Sequence, residues 1–342
     1  MNKGFWENLK KPIIGLSPMD GVTDASFRFI TAKHAKPDII LTEFVSVEGL
    51  CAGAEPLLMD FVYSEIERPI VAQVFGTSPE AFYRVAPIVC ELGFDGLDIN
   101  MGCPDKNVAK RGGGAALIKT PGLAKKIISE TQKGIKEWSE GKKIEDFDLP
   151  ENIIDKIKNN NSNNDRLEIP VSVKTRIGYD KVEIEEWVKH LLEMEPANIS
   201  IHGRTLKQMY SGEADWEAIK RASEMIHKTE TLVLGNGDIK SHKQAKENIK
   251  KYGVDGVLIG RAVFGNPWIL SGEEVSVKDK LQVAKEHARH FETIFEDRKF
   301  YNMRKHLAWY SHSFDGAKEL RIKLMKAENA KECGKIIDDF CG

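Results

Sequence analysis

Eight short, almost continuously apolar runs recur through the first 270 residues of this 342-residue chain, and they restrict its fold more than any other feature. They are Pro12–Leu16, Asp38–Glu43, Pro69–Val74, Asp95–Asn100, Pro170–Thr175, Asn198–His202, Thr231–Asn236 and Val254–Gly260. Each gives way to a glycine or a polar residue. Unbroken apolar character over five or six residues suits strands buried on both faces, as in parallel sheets. Helical patterns separate them. Trp187, Leu191 and Met194, for example, step by four and three along one helix face. Eight strands alternating with helices over residues 12–270 predict an α/β chain folded as a (β/α)8 barrel. A doubly wound sheet fits less well, because the first strand runs into Ser17-Pro18-Met19-Asp20-Gly21 rather than a Gly-x-Gly-x-x-Gly turn.

Two stretches depart from this rhythm. The fourth and fifth strands are unusually far apart, and the excess holds Lys142–Asp146 and the run Asn159–Asn164. Such polar low complexity reads as an exposed surface insertion over residues 137–168. Beyond residue 275 the pattern becomes all-helical. Val277, Leu281, Ala284, Ala288, Phe291 and Phe295 form one stripe, Met303, Leu307 and Tyr310 another, and Ser313–Gly316 a turn. The chain thus divides into a barrel domain, 1–275, and a small all-helical C-terminal domain, 276–342.

Composition excludes several classes. Lys plus Arg number 50 and Asp plus Glu 52, so the chain is not a uniformly basic nucleic-acid binder. The balance is local: residues 276–342 hold 14 Lys/Arg against 11 Asp/Glu, and the barrel holds 36 against 41. No apolar run approaches the ~20 residues of a membrane span, and the opening residues lack the apolar core of a secretory signal. Five scattered cysteines, none in a Cys-x-x-Cys pair, suggest neither disulfides nor a metal site. A reducing cytoplasm is the simplest compartment, and nothing demands more than a monomer.

In such a barrel, reactive groups gather where strands run into the following loops. The strand ends here are Ser17-Pro18-Met19, Glu43, Gln73, Asn100 through Cys103 to Asp105, Lys174-Thr175-Arg176, His202-Gly203-Arg204, Asn236-Gly237-Asp238 and Gly260-Arg261. Amides, cations and one thiol converge on one mouth. Gly235 to Gly237, with Gly260 and Arg261, suit phosphate, which barrels often bind after strands seven and eight. The cations Lys174, His202 and Arg204 call for an anionic ligand, since without one they repel. Cys51 and Cys90 read as small apolar core residues. Cys103 sits between Gly102 and Pro104 on a tight loop and reads as functional.

With these residues assembled, the chain resembles the tRNA-dihydrouridine synthases over nearly its whole length. The motifs are Ser17 to Asp24, Ala72 to Gly76, Asp98 to Pro104, Val173 to Gly178, Ile201 to Thr205, Asn236 to Asp238 and Ile259 to Ala262. Met303 to Tyr310 is similar to that family's tRNA-facing stretch. The resemblance implies FMN in the mouth, NADPH as reductant, and reduction of a tRNA uridine to 5,6-dihydrouridine. It implies Ser17, Pro18, Met19, Gln73, Lys174, His202, Asn236, Gly237, Asp238, Gly260 and Arg261 as cofactor residues. Cys103 matches the proton donor. Asn100 either reads the base or makes a strand-end turn. Arg176 and Arg204 at the mouth, and Arg304, Lys305 and Arg321 on the helical domain, are candidates for substrate contact. Trp309 and Tyr310 read as domain core. A flavin barrel acting on a small pyrimidine or enone, and a non-catalytic RNA-binding barrel, are the rival readings.

Overall fold

The computed structural model describes residues 2–160 and 165–342. Eight strands close into one parallel barrel in sequence order: β1 (Ile13–Leu16), β2 (Ile40–Ser46), β3 (Ile70–Phe75), β4 (Gly96–Met101), β5 (Val171–Gly178), β6 (Asn198–Thr205), β7 (Leu232–Asn236) and β8 (Gly256–Ile259). β8 pairs back onto β1 from Ile13↔Gly256 to Leu16↔Ile259. All eight expected strands are present. They read as apolar because each is buried twice. Ile14, Leu16, Ile40, Ile99, Val173 and Ile201 face the surrounding helices. Ile13, Ile39, Leu41, Val71, Leu234 and Leu258 fill the bottom of the barrel, plugged by Trp6.

The surrounding helices are α1 (Ala25–Ala35), α2 (Val47–Cys51), α3 (Pro79–Glu91), α4 (Lys106–Lys110), α5 (Pro121–Ser139), α6 (Glu151–Asn160), α7 (Ile184–Leu192), α8 (Trp216–Ile226) and α9 (His242–Tyr252). Their starts carry local caps. The side chains of Asp24, Ser78, Asp215 and Ser241 accept the N–H of Phe27, Ala81, Ala218 and Gln244, which satisfies donors that a helix leaves unpaired. No helix among the described residues is long and apolar enough to cross a membrane.

The stretch read as an exposed insertion lies at the surface, but one apolar face of it is packed. α5 runs on to Ser139 with Trp138 buried, and its Nε1–H donates to Glu91 at 2.7 Å. A short 3-10 helix, Ile144–Phe147, and α6 follow. Ile144, Phe147, Leu149, Ile153 and Ile157 are buried in the same apolar cluster as the barrel helices. The asparagine run hid this: the apolar residues are spaced two to four apart among charged and polar residues, so a compositional reading averages them away. Residues 161–164 of that run lie outside the described residues.

After the barrel come α10 (Val277–Ile294), α11 (Arg304–Tyr310), α12 (Ala317–Leu324) and α13 (Ala330–Cys341). Leu281, Ala284, Ala288, Phe291, Phe295, Met303, Leu307 and Tyr310 form a second apolar cluster, joined by Ala25 and Ile30 of α1 and by Trp268. Phe29 stacks on His290 with centroids 3.9 Å apart, and Trp309 stacks on Phe264 at 4.0 Å. The Lys305 ammonium donates to the Gly21 carbonyl in the loop after β1. The helices therefore sit against the loops that follow β1 and β8, beside the open end of the barrel.

The packed reading of residues 144–157 is tested by Phe147→Ala. Removing a buried ring is expected to lower stability by about 3–5 kcal/mol. An exposed loop residue would change it by less than ~0.5 kcal/mol. Urea denaturation of the two proteins decides between them.

Candidate active site

Side chains alternate across a strand, so every second residue of each strand points into the barrel. On the apolar strands this inward set supplies the plug described above. On β3 to β7 it turns polar toward the C-terminal end, and the register aligns it in rows. Gln73, Asp98 and Ser172 are cross-strand neighbours. So are Asn100, Lys174 and Ser200, and then Arg176, His202 and Asn236. The three rows climb toward one mouth, where Ser17, Cys103, Asp238 and Arg261 meet them from the loops.

Positive charge dominates that mouth. Burial, with Arg176 beside it, pushes Lys174 down to about 8. Burial pushes Arg176 down to about 10. His202 falls well below its usual range, first through burial and then through the fields of Lys174, Arg176, Arg204 and Arg261, so its imidazole is neutral at pH 7. The counter-charge at this cluster is Asp238. Burial alone would raise it, but the Ala214 N–H at 2.8 Å, Arg204 at 2.7 Å and Arg261 at 3.1 Å more than offset this and hold it low.

Loop carbonyls stabilise the rest of the charge. Arg176, 3% exposed, donates from Nε to Gly102 O at 2.7 Å and from one amino group to Thr205 O and Met209 O. Its other amino group makes no bond among the described residues. Arg204, 2% exposed, donates to Ser211 O, Gly212 O and Asp238, and its remaining nitrogen lies 3.5 Å from His202 Nε2. Arg204 was expected to touch substrate. This geometry gives it a different task, holding the 205–214 loop and Asp238 in place, because all its nitrogens are engaged.

The β7 and β8 ends offer backbone rather than side chain. Gly237 has φ +130°, and a Cβ there would lie 2.6 Å from Ala214 Cβ, so only glycine fits. Asn236 donates to Leu258 O at 2.7 Å and accepts from Lys174 at 3.4 Å. Gly260 lies near Ser17 and Met19. Arg261 stays half exposed. Four cations, of which Asp238 pairs with Arg204 and Arg261, together with bare backbone beside them, fit a bound phosphate ester.

Cys103 is buried just past β4. Burial pushes its thiol up, and the Asp105 and Asp20 carboxylates add to this; the Asp105 N–H and Arg176 oppose. It is a thiol, not a thiolate, at neutral pH. Its N–H donates to Asn100 Oδ1 at 2.8 Å and its carbonyl accepts from Ala115 N at 3.2 Å. Gln73, expected to serve a ligand with donor and acceptor, is completely buried and already donates to Asp98 and accepts from Asn100. One hydrogen on its Nε2 and one lone pair on its Oε1 remain.

Two carboxyls, Asp98 within a motif and Glu43 at a strand end, drew no role from the sequence. Asp98 lies on β4 two residues before Asn100. Glu43 on β2 accepts the Val22 N–H at 2.9 Å; burial and then Asp24 and Asp60 push it up to about 7. The signal for Asp98 was available: a carboxylate inside an otherwise apolar strand, in step with Asn100. Away from the mouth, Arg304 donates to Ala327 O at 3.3 Å and Lys305 to Gly21 O, so both brace the helical domain. Arg321 on α12 is exposed. Tyr310 is buried in the core of the helical domain, and Trp309 is half-buried with its ring stacked on Phe264.

Fold and site together define a (β/α)8-barrel enzyme with a cation-lined mouth and a protonated thiol. Residues 15–139 and 143–340 match the family model described as dihydrouridine synthase. A Staphylococcus aureus (strain MRSA252) protein named "Probable tRNA-dihydrouridine synthase" is 36% identical over 350 residues, covering 99% of this chain and 96% of its own. "Probable tRNA-dihydrouridine synthase 2" of Bacillus subtilis (strain 168) is 35% identical over 349 residues, covering 99% and 97%. The chain belongs to the dihydrouridine synthase family. Among solved structures, the ligand-free DHODH of Eimeria tenella shares the barrel fold at a TM-score of 0.50 and 12% identity, over 76% of this chain and 81% of that one.

The depressed Lys174 is directly measurable. In anion-free protein it should titrate near pH 8, whereas the unfolded chain keeps that proton to about 10.4. Between those values the unfolded state binds the extra proton, so stability rises with pH across that window. Inorganic phosphate should move the titration upward. Carbon-13 NMR of labelled lysine reads both, and a Lys174 midpoint above 10 without anion would contradict the buried, cation-crowded site.

Proposed function

We propose that this protein reduces a uridine of tRNA to 5,6-dihydrouridine, with FMN bound in the barrel mouth, NADPH as reductant and Cys103 as proton donor. The observation that carries the reading is Cys103, a buried, protonated thiol held by its own backbone within the field of Lys174 and Arg176. The family's name supplies the reaction; this thiol supports a general acid within it.

Arg261 and the backbone at Gly237 and Gly260 would hold the cofactor phosphate. Ser17, Pro18, Met19, Asn236 and Asp238 would line its site, with neutral His202 beside them. Lys174 would place positive charge by the ring system, the electrostatic tuning a flavin protein provides. When bound, the reduced flavin supplies the hydride for carbon 6 of the uracil.

The chain's own residues do the remaining work. Cys103 delivers a proton to carbon 5, and its raised pKa keeps that proton available at neutral pH. Asn100 positions Cys103 through the backbone N–H groups of Gly102 and Cys103. The unpartnered amino group of Arg176 is free to hydrogen-bond a uracil carbonyl. A uracil stacked within folded RNA must be flipped out to reach this depth. Arg321, with its exposed neighbours Lys318 and Lys323, offers the helical domain's free charge to the phosphate backbone. Lys305 holds that surface against the barrel, and Arg304 braces it within the helical domain.

Cys103→Ala is expected to remain yellow while losing about a hundredfold or more in dihydrouridine formation, the usual contribution of a general acid. Normal turnover on tRNA would remove Cys103 from the mechanism. Binding of tRNA should weaken steeply with salt. Arg321→Ala should lower the slope of log affinity against log salt by about one. A slope unchanged by this substitution would take the RNA off α12.

A further inference from the structure

We propose that Asp98 is a positioning residue for Cys103, acting through a chain of two side-chain amides whose orientation it alone determines from the barrel interior. The inference rests on the reading of Cys103 as the proton donor. It starts from five hydrogen bonds. Asp98 Oδ2 accepts from Gln73 Nε2 at 2.7 Å, while its Oδ1 accepts from Ser172 Oγ at 2.6 Å. Gln73 Oε1 accepts from Asn100 Nδ2 at 2.9 Å. Asn100 Oδ1 accepts the backbone N–H of Gly102 at 3.0 Å and of Cys103 at 2.8 Å.

The ends of this chain differ in kind. An ionised carboxylate can only accept, and a backbone N–H can only donate. Between them lie two primary amides, each of which has a donor end and an acceptor end. Rotating either by half a turn sets oxygen against oxygen at one end or N–H against N–H at the other. With both ends fixed, one arrangement satisfies every bond. Without the carboxylate, Gln73 is free to rotate, Asn100 loses its fixed partner, and the two N–H groups that orient Cys103 lose a rigid acceptor.

Burial makes this a costly placement. Asp98 is completely buried, whereas the residues flanking it on β4, Leu97 and Ile99, are apolar. A charge with two donors is a poor stabiliser compared with a well-packed apolar side chain. Burial pushes Asp98 up to about 6, and the hydrogen bonds from Ser172 and Gln73 and the field of Lys174 oppose this, so it remains ionised at neutral pH. The far end is equally constrained. The Cys103 carbonyl accepts from Ala115 N, and a Cβ at Gly114 would lie 2.7 Å from that oxygen. Cys103 is thus gripped on both sides of its α-carbon, on one side by a loop and on the other by the chain that Asp98 anchors.

The test uses the full-length flavin-loaded protein with Asp98→Ala, Asp98→Asn and Asn100→Ala. In Asp98→Ala the Gly102 and Cys103 amides should exchange hydrogen about tenfold faster or more by NMR, as local opening becomes easier. Asn can still accept from Gln73 and donate to Ser172, so Asp98→Asn should restore most of the protection. In single turnover, reoxidation by tRNA should fall about a hundredfold in Asp98→Ala, the effect of roughly ångström misplacement. Reduction by NADPH should fall much less. Adding Asn100→Ala to Asp98→Ala should cost little more, because both act through one path. Unchanged amide exchange, equal loss in both half-reactions, or fully additive losses would each overturn the proposal. If Asp98→Ala does not fold, Asp98→Ser, whose hydroxyl is too short to reach Gln73, takes its place with the same outcomes. Normal turnover by Cys103→Ala would overturn the proton-donor reading instead, and amide exchange at Cys103 would still report on Asp98.

Discussion

Positive charge held out of bulk water at one end of a closed barrel is the constraint around which the rest of this molecule is arranged. Lys174, Arg176, Arg204 and Arg261 converge with His202 on a mouth whose counter-charge is Asp238. Burying charge costs several kcal/mol per ion unless partners replace water. The loop after β4, the end of β6 and the loop that follows it supply those partners as carbonyls, from Gly102, Thr205, Met209, Ser211 and Gly212. Loop conformation and site charge are therefore one problem. The same loops that shape the mouth are held by the arginines they solvate, and the excess charge defines what the mouth binds.

The barrel makes this possible by separating its two faces. Outward positions pack apolar side chains against helices, and inward positions are free to carry function once the bottom is plugged. Ser172, Lys174 and Arg176, two apart on β5, face inward beside Ser200, His202 and Arg204 on β6. Polar residues thus stack in rows from Gln73, Asp98 and Ser172 up to the rim. Depth along each strand separates residue types: the deep row holds Gln73, Asp98 and Ser172, the middle row Asn100, Lys174 and Ser200, and the rim row Arg176, His202 and Asn236.

The helical domain is tied to this machinery through the loop after β1. Lys305 reaches the Gly21 carbonyl from α11, and Asp20 beside it adds to the field on Cys103. Arg28, fully buried at the start of α1, pairs with Glu67 at 2.9 Å and donates to Thr23 O in the same loop. The surface offered to a large substrate and the loop bearing Ser17 to Met19 are thereby held as one assembly.

The eight strands, their order and the convergence of Cys103, Lys174, His202 and Arg261 were legible in the sequence, because double burial and period-two alternation are local properties. So was the helical domain, whose stripes repeat at helical spacing. Other features depend on which atoms meet across the barrel, and there local pattern fails. Residues 144–157 read as solvated because their apolar residues are sparse, but burial is decided by where the helix docks. Arg204 reads as a free cation, yet Asp238, 34 residues later, engages it. Cys103 sits among cations in the sequence motifs, and local pattern left its protonation open, while burial and Asp105 and Asp20 keep it a thiol. Sequence determined which groups reach the mouth. Tertiary structure alone decided their protonation and their partners, since both depend on desolvation and on contacts between distant segments.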